Sequence, residues 1–128
     1  MSIVTILRRE TGGVESCEQT FEFDKSFEGT VIDLLNELNG RETLTDATGA
    51  PARRICFECS CATGNCGACA MLVNGRPALA CEVAVQEELR RAGELKLAPL
   101  TAFPCVCDLQ VNRGILRDRA RDTGLWLT

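Results

Sequence analysis

Nine cysteines in a chain of 128 residues with no histidine and no tyrosine put thiolate chemistry ahead of other kinds. The stretch Cys61-Ala-Thr-Gly-Asn-Cys66-Gly-Ala-Cys69 sets three of them as C-x4-C-x2-C, and Cys81 follows at a distance. Three thiolates on one loop and a fourth beyond it is the spacing that holds the two irons of a [2Fe-2S] cluster. Such a cluster is compact and net-negative, so the loop must wrap close and aim its N–H groups at the sulfurs. Gly64 and Gly67 permit that approach, and bulkier residues there would obstruct it. The same thiols could instead be small buried apolar groups or a four-cysteine zinc site. Zinc modules usually pair two short C-x2-C knuckles, whereas here three candidate ligands share one loop, so a cluster is the expectation.

Cys17, Cys56, Cys59, Cys105 and Cys107 fall outside that spacing. They read as small buried thiols or incidental replacements, with a second metal site built from Cys56-x2-Cys59 and Cys105-x-Cys107 as the sharper alternative. The absence of histidine removes the commonest general base, the Ser-His and Cys-His nucleophile pairs and imidazole-based metal sites. Carboxylates are scattered with no pairing for acid–base catalysis, and no phosphate-cradling glycine loop occurs, so we expect no catalytic residue and no nucleotide site. A formal net charge of −4 and a pI near 4.9 argue against nucleic acid as the main partner.

The elements that must position these thiols follow from periodicity. Ile3–Arg8 is β-rich and Phe21-Glu22-Phe23-Asp24 alternates, so a hairpin opens the chain, with its second strand at Thr20–Asp24. Thr30 caps a helix over 31–39 whose Val31, Leu34, Leu35 and Leu38 form an apolar stripe, and Asn39-Gly40 reads as its left-handed stop. Arg41–Pro51 reads as loop. Ala70–Val73 and Pro77–Ala80 flank Asn74-Gly75, a tight-hairpin dipeptide that carries Cys81 back toward the loop. A short helix over 83–92 stops at Gly93, Glu94–Leu97 alternates as a strand, and Val106–Val111 reads as one more. This order is an α+β pattern on a small mixed sheet.

Length and composition fit one domain, taken as residues 1–112, followed by an arm over 113–128 with four Arg and two Asp between Arg113 and Asp122. The N-terminus places its charges after a short apolar run, the reverse of a secretory signal, and the uncharged stretch Ser60–Gly75 is too short to span a bilayer. An odd number of cysteines without a leader points to a reducing compartment, so the expected location is cytoplasmic, with membrane contact only through partners at the inner face and no direct insertion. Arg53-Arg54 ahead of the loop reads as a solvated face, or as a contact for an acidic partner.

At these residues the sequence resembles the N-terminal [2Fe-2S] domain of the iron–sulfur subunit of succinate dehydrogenase and fumarate reductase. The shared run is Cys61 to Cys81, with Cys66-Gly-Ala-Cys69-Ala-Met, Asn74-Gly75 and the final Cys, joined by Leu97-Ala-Pro-Leu-Thr-Ala-Phe-Pro and Asp108-Leu-Gln-Val-Asn-Arg113. With weaker N-terminal similarity it covers Ile3 to Arg113. The resemblance implies a β-grasp, plant-type ferredoxin-like fold with a small mixed sheet packed on a helix. It also implies a [2Fe-2S] cofactor on Cys61, Cys66, Cys69 and Cys81, and an FAD flavoprotein partner with a further redox carrier. The family continues into a helical domain with two more clusters, for which this sequence has no cysteine series. Family members carry apolar or basic residues where Cys105 and Cys107 stand.

The expected function is therefore electron transfer through one [2Fe-2S] cluster, as the component of an oxidoreductase that has no substrate site of its own. A free-standing ferredoxin and a thiol- or zinc-based redox-sensing module are the alternatives.

Overall fold

The computed structural model describes residues 2–10, 15–59, 69–101 and 105–111. The chain opens with β1 (Ser2–Arg8) and β2 (Cys17–Phe23), paired antiparallel from Ser2↔Phe23 to Arg8↔Cys17. Alternation decides which side chains go inward. Val4, Ile6, Phe21 and Phe23 are fully buried on one face, while Ile3 stands exposed on the other. The second strand begins earlier than its apolar pattern, because Cys17, Glu18 and Gln19 pair in register with Arg8, Leu7 and Ile6.

The helix α1 (Val31–Asn39) forms where its stripe predicted, with Val31, Ile32, Leu34, Leu35 and Leu38 buried. Thr30 Oγ1 accepts the Asp33 N–H at 3.3 Å and the Asp33 carboxylate accepts the Thr30 N–H at 2.9 Å, closing a reciprocal cap. Its end differs from expectation. Gly40 has φ −81° and is right-handed, donating back to the Asn36 carbonyl at 2.9 Å. The Asn39 side chain is bound instead to Ile55, accepting its N–H at 2.8 Å and donating to its carbonyl at 3.0 Å.

The hairpin of β3 (Ala70–Val73) and β4 (Arg76–Leu79) turns through Asn74 at φ 51° and Gly75 at φ 81°, both left-handed as this turn requires. The helix α2 (Val85–Ala92) starts slightly later than its pattern and stops at left-handed Gly93, before β5 (Leu95–Ala98). The main sheet has the order β2-β1-β5-β3-β4, with β1 and β5 parallel and the other pairs antiparallel. Its inward residues, including Met71, Val73, Leu95 and Leu97, share one core with the α1 stripe.

The segment read as a single strand over 106–111 is two short ones, β6 (Cys105–Cys107) and β7 (Gln110–Val111), paired antiparallel. The chain reverses between them because Asp108 takes φ 48°. The expected arm over 113–128 lies outside the described residues.

Candidate metal centre

Two of the four cysteines singled out by spacing, Cys69 and Cys81, lie among the described residues, and the fold brings them together. Cys69 stands directly before β3 with 3% of its surface exposed, packed in the main core. Cys81 follows β4, and its N–H donates to Cys69 Sγ at 3.4 Å. The hairpin is the cause: Ala70↔Leu79 pairing returns the chain beside its start, and the Ala80 N–H reaches the Cys69 carbonyl at 3.4 Å. This corner is braced by α1, whose Ile32 N–H donates to the Ala80 carbonyl at 3.2 Å and whose Val31 N–H donates to the Val83 carbonyl at 2.9 Å. Cys61, Gly64, Cys66 and Gly67 lie outside the described residues. The donor set present fits an iron–sulfur cluster: two adjacent thiols on rigid backbone, one already receiving an amide N–H.

The segment leading into the expected ligand loop is held by a different device. Asp108 is fully buried, and its Oδ1 accepts from Arg8 Nε at 3.0 Å, the Arg9 N–H at 2.9 Å and Arg53 Nη2 at 2.9 Å. Its Oδ2 accepts from Arg53 Nη1 at 2.7 Å and the Cys56 N–H at 2.9 Å. Arg8, 4% exposed, also donates to the carbonyls of Arg53 and Arg54 at 3.0 and 3.1 Å. Burial pushes the Asp108 carboxyl up, but the donors of Arg53, Cys56, Arg8 and Arg9 outweigh it and hold the group below its ordinary value. Arg53 stays exposed, with 39% of its side chain accessible, and pairs through its guanidinium with the buried Asp108. Arg54 donates to the carbonyls of Arg41 and Glu42 at 2.7 and 3.3 Å.

The surplus cysteines divide by place. Cys17 and Cys59 are exposed, Cys56 and Cys105 are half-buried and Cys107 is buried. Cys56 and Cys107 come together beside Asp108, whereas Cys105 Sγ donates to the Asp108 carbonyl at 3.3 Å. Burial, offset by Arg9, pushes the Cys105 thiol up. Sequence reasoning missed the Arg8–Asp108–Arg53 network; its one signal was Asp108-Leu109 within the resembling run.

A helix braced on a five-stranded mixed sheet, with paired cysteines at the foot of a hairpin, defines the class as a β-grasp iron–sulfur domain of the ferredoxin-like kind. Residues 3–118 match the family model described as 2Fe-2S iron-sulfur cluster binding domain. The chain belongs to that family, and its cofactor is a [2Fe-2S] cluster. It is 29% identical over 122 residues to the succinate dehydrogenase iron-sulfur subunit of Bacillus subtilis, covering 95% of this chain and 46% of that protein. It is 30% identical over 125 residues to a subunit of the fumarate reductase (CoM/CoB) of Methanothermobacter marburgensis, covering 97% of this chain and 22% of that one. The fold is similar to a chain of the Mycobacterium smegmatis Sdh1 complex in the apo form, with a TM-score of 0.68 and 24% identity over 94% of this chain and 45% of that chain. The chain therefore spans less than half the length of these relatives. Among the described residues no helix is long and apolar enough to cross a membrane.

Proposed function

We propose that this chain relays single electrons through its [2Fe-2S] cluster as the iron–sulfur component of a flavoprotein complex of succinate dehydrogenase or fumarate reductase type. The ligands are Cys61, Cys66, Cys69 and Cys81, and Gly64 and Gly67 let the loop close on the sulfurs. The observation that carries this reading is the Cys69–Cys81 corner, where a buried thiol receives a backbone N–H at 3.4 Å, in a domain of the cluster-binding family. When bound, the cluster accepts and returns one electron.

The chain's own residues hold, shield and tune. The Cys81 N–H stabilises negative charge on the Cys69 sulfur and so favours the reduced state, while burial of Cys69 in the core opposes added charge. The α1 N-terminus keeps the Cys81 segment in place, and the Asp108 network keeps the loop's other end in place. Substrate chemistry and the flavin belong to a partner, and a further carrier takes the electron on. The domain works on the cytoplasmic side, reaching the membrane only through partner subunits.

Purification of the tagged chain with whatever it binds in its native host tests this reading. The expected result is a stable complex containing flavin, in which succinate or a fumarate-reducing donor changes the oxidation state of the cluster. A chain that never binds the flavoprotein, yet exchanges electrons with several unrelated reductases, would contradict it in favour of a free-standing ferredoxin.

A further inference from the structure

Two thiols outside the proposed ligand set meet at the Asp108 network. Cys56 lies on the segment leading into the ligand loop, pinned to the β6–β7 turn by its N–H to Asp108 Oδ2 at 2.9 Å and by its carbonyl, which accepts the Leu109 N–H at 3.1 Å. Cys107 ends β6, buried. Their two sulfurs and an Asp108 oxygen all lie within 4.8 Å of one another, and neither cysteine is in a disulfide.

Such a cluster could bind a thiophilic cation or be oxidised. Its surroundings separate the two. The Asp108 oxygens already accept five N–H donors, and two guanidinium groups stand against them. Arg53 Nη1 is also 3.6 Å from Cys107 Sγ. A cation would have to displace Arg53 and sit beside like charge, whereas a sulfur–sulfur bond adds no charge and joins two sulfurs within 4.8 Å of each other on segments already tied by the Cys56 and Leu109 hydrogen bonds.

We propose that Cys56 and Cys107 form a reversible dithiol–disulfide site, oxidised by a low-molecular-weight disulfide of the glutathione class. Cys56, the more exposed of the two, attacks one sulfur of the oxidant as its thiolate, and the first small thiol leaves. The Cys107 sulfur then attacks Cys56 of the mixed disulfide and expels the second. The protein gives up two thiol protons and two electrons, and the oxidant's single S–S bond becomes two thiols. Arg53 beside Cys107 stabilises the negative charge that its sulfur carries into the second attack.

The bond would join the segment ahead of the ligand loop to the β6–β7 turn, closing a covalent ring that contains Cys61, Cys66, Cys69 and Cys81. Its formation is slow at neutral pH. Burial first, then the hydrogen bond with Cys107 and the charges of Cys107 and Asp108, push the Cys56 thiol up to about 11 against the opposing effect of Arg53. The attacking thiolate therefore grows about tenfold per pH unit below that value.

The test uses the full, cluster-loaded chain, incubated without oxygen in oxidised glutathione at pH 7, 8 and 9, then acid-quenched, alkylated, digested and mapped by non-reducing mass spectrometry. The expected product is a peptide linking Cys56 to Cys107, released by dithiothreitol and forming about tenfold faster per pH unit. Cys107→Ser should trap glutathione on Cys56, and Cys56→Ser should leave Cys107 free to alkylate. If Cys107→Ser fails to fold, the linked peptide of the native chain decides alone. Both thiols alkylated after incubation at pH 9, bonds scattered to Cys17 or Cys59, or zinc retained by the pair would overturn the proposal. Visible absorbance followed in parallel reports separately on the cluster.

Discussion

Residues 53–56, which lead into the proposed ligand loop, are held by a buried carboxylate, whereas Cys69 and β3, which leave it, are held by apolar packing. On the first side Asp108 gathers Arg8, Arg53 and two backbone N–H groups, so order comes from directional bonds to one charge. On the second side Cys69, Met71 and Val73 sink into a core shared with α1, with exposures of 3%, 1% and 0%. The difference has a physical logic. Apolar burial on the regular side uses surface that sheet and helix already present. The irregular approach segment has no repeating face to bury, and its carbonyls and N–H groups need polar partners. The two sides should therefore fail in different ways.

Removing the charge from the first side should have the largest effect. Asp108→Asn leaves Arg8 buried without its counter-charge, and breaking a buried pair this way costs about 3–5 kcal/mol, read as a lowered urea midpoint at pH 7. A cost under about 1 kcal/mol would mean that the network merely decorates the turn.

Next in size is the apolar side. Met71→Ala should cost about 2–4 kcal/mol through lost burial and an unfilled cavity, with the same loss at pH 5 and pH 8. A loss that changed with pH over that range would break the contrast between the two sides.

Acid should separate the sides further. Asp108 is held below its ordinary value, so its contribution is complete above the unfolded carboxylate pKa of about 4 and is lost as pH falls through the lower folded value. Glu88, against Arg91, Asn74 and Arg76, is lowered to about 2 and acts with the same sign. Urea midpoints should thus fall between pH 4 and pH 2, and Asp108→Asn should flatten part of that fall while Met71→Ala leaves its slope unchanged.

The smallest effect belongs to the hairpin turn. The Asn74 side chain donates to Glu88 at 2.8 Å and to the Glu94 carbonyl at 2.9 Å, and accepts the Lys96 N–H at 2.8 Å. Asn74→Ala should cost about 1–2 kcal/mol with cluster content maintained, because it removes the side-chain bonds to Glu88, Glu94 and Lys96 while the β3–β4 pairing that returns Cys81 to Cys69 remains.

The sequence made the regular side legible. Val31, Leu34, Leu35 and Leu38 marked α1 through spacing alone, and Asn74-Gly75 marked the turn that places Cys81 beside Cys69. These are local signals, readable within a few residues. The other side was not legible for the same reason. Arg53 is as exposed as a solvated face implies, but its ion pair with Asp108 was hidden, because Asp108 is far along the chain and no periodicity links them. The reversal within 106–111 was hidden because Asp108 takes its left-handed turn without glycine, held there by the donors it receives. Gly40 misled in the opposite direction: its type announced a left-handed stop, but the Asn39 contacts with Ile55 let the helix end right-handed. Cys61 and Cys66, expected as ligands from spacing, lie outside the described residues.

Iron and acid-labile sulfide per chain, measured on anaerobically purified protein together with the EPR spectrum of the dithionite-reduced sample, test the central claim most directly. The expected result is about two irons and two sulfides with a [2Fe-2S] signal, lost in Cys69→Ser and Cys81→Ser. Zinc in their place, or a protein without metal under conditions that preserve clusters, would contradict it.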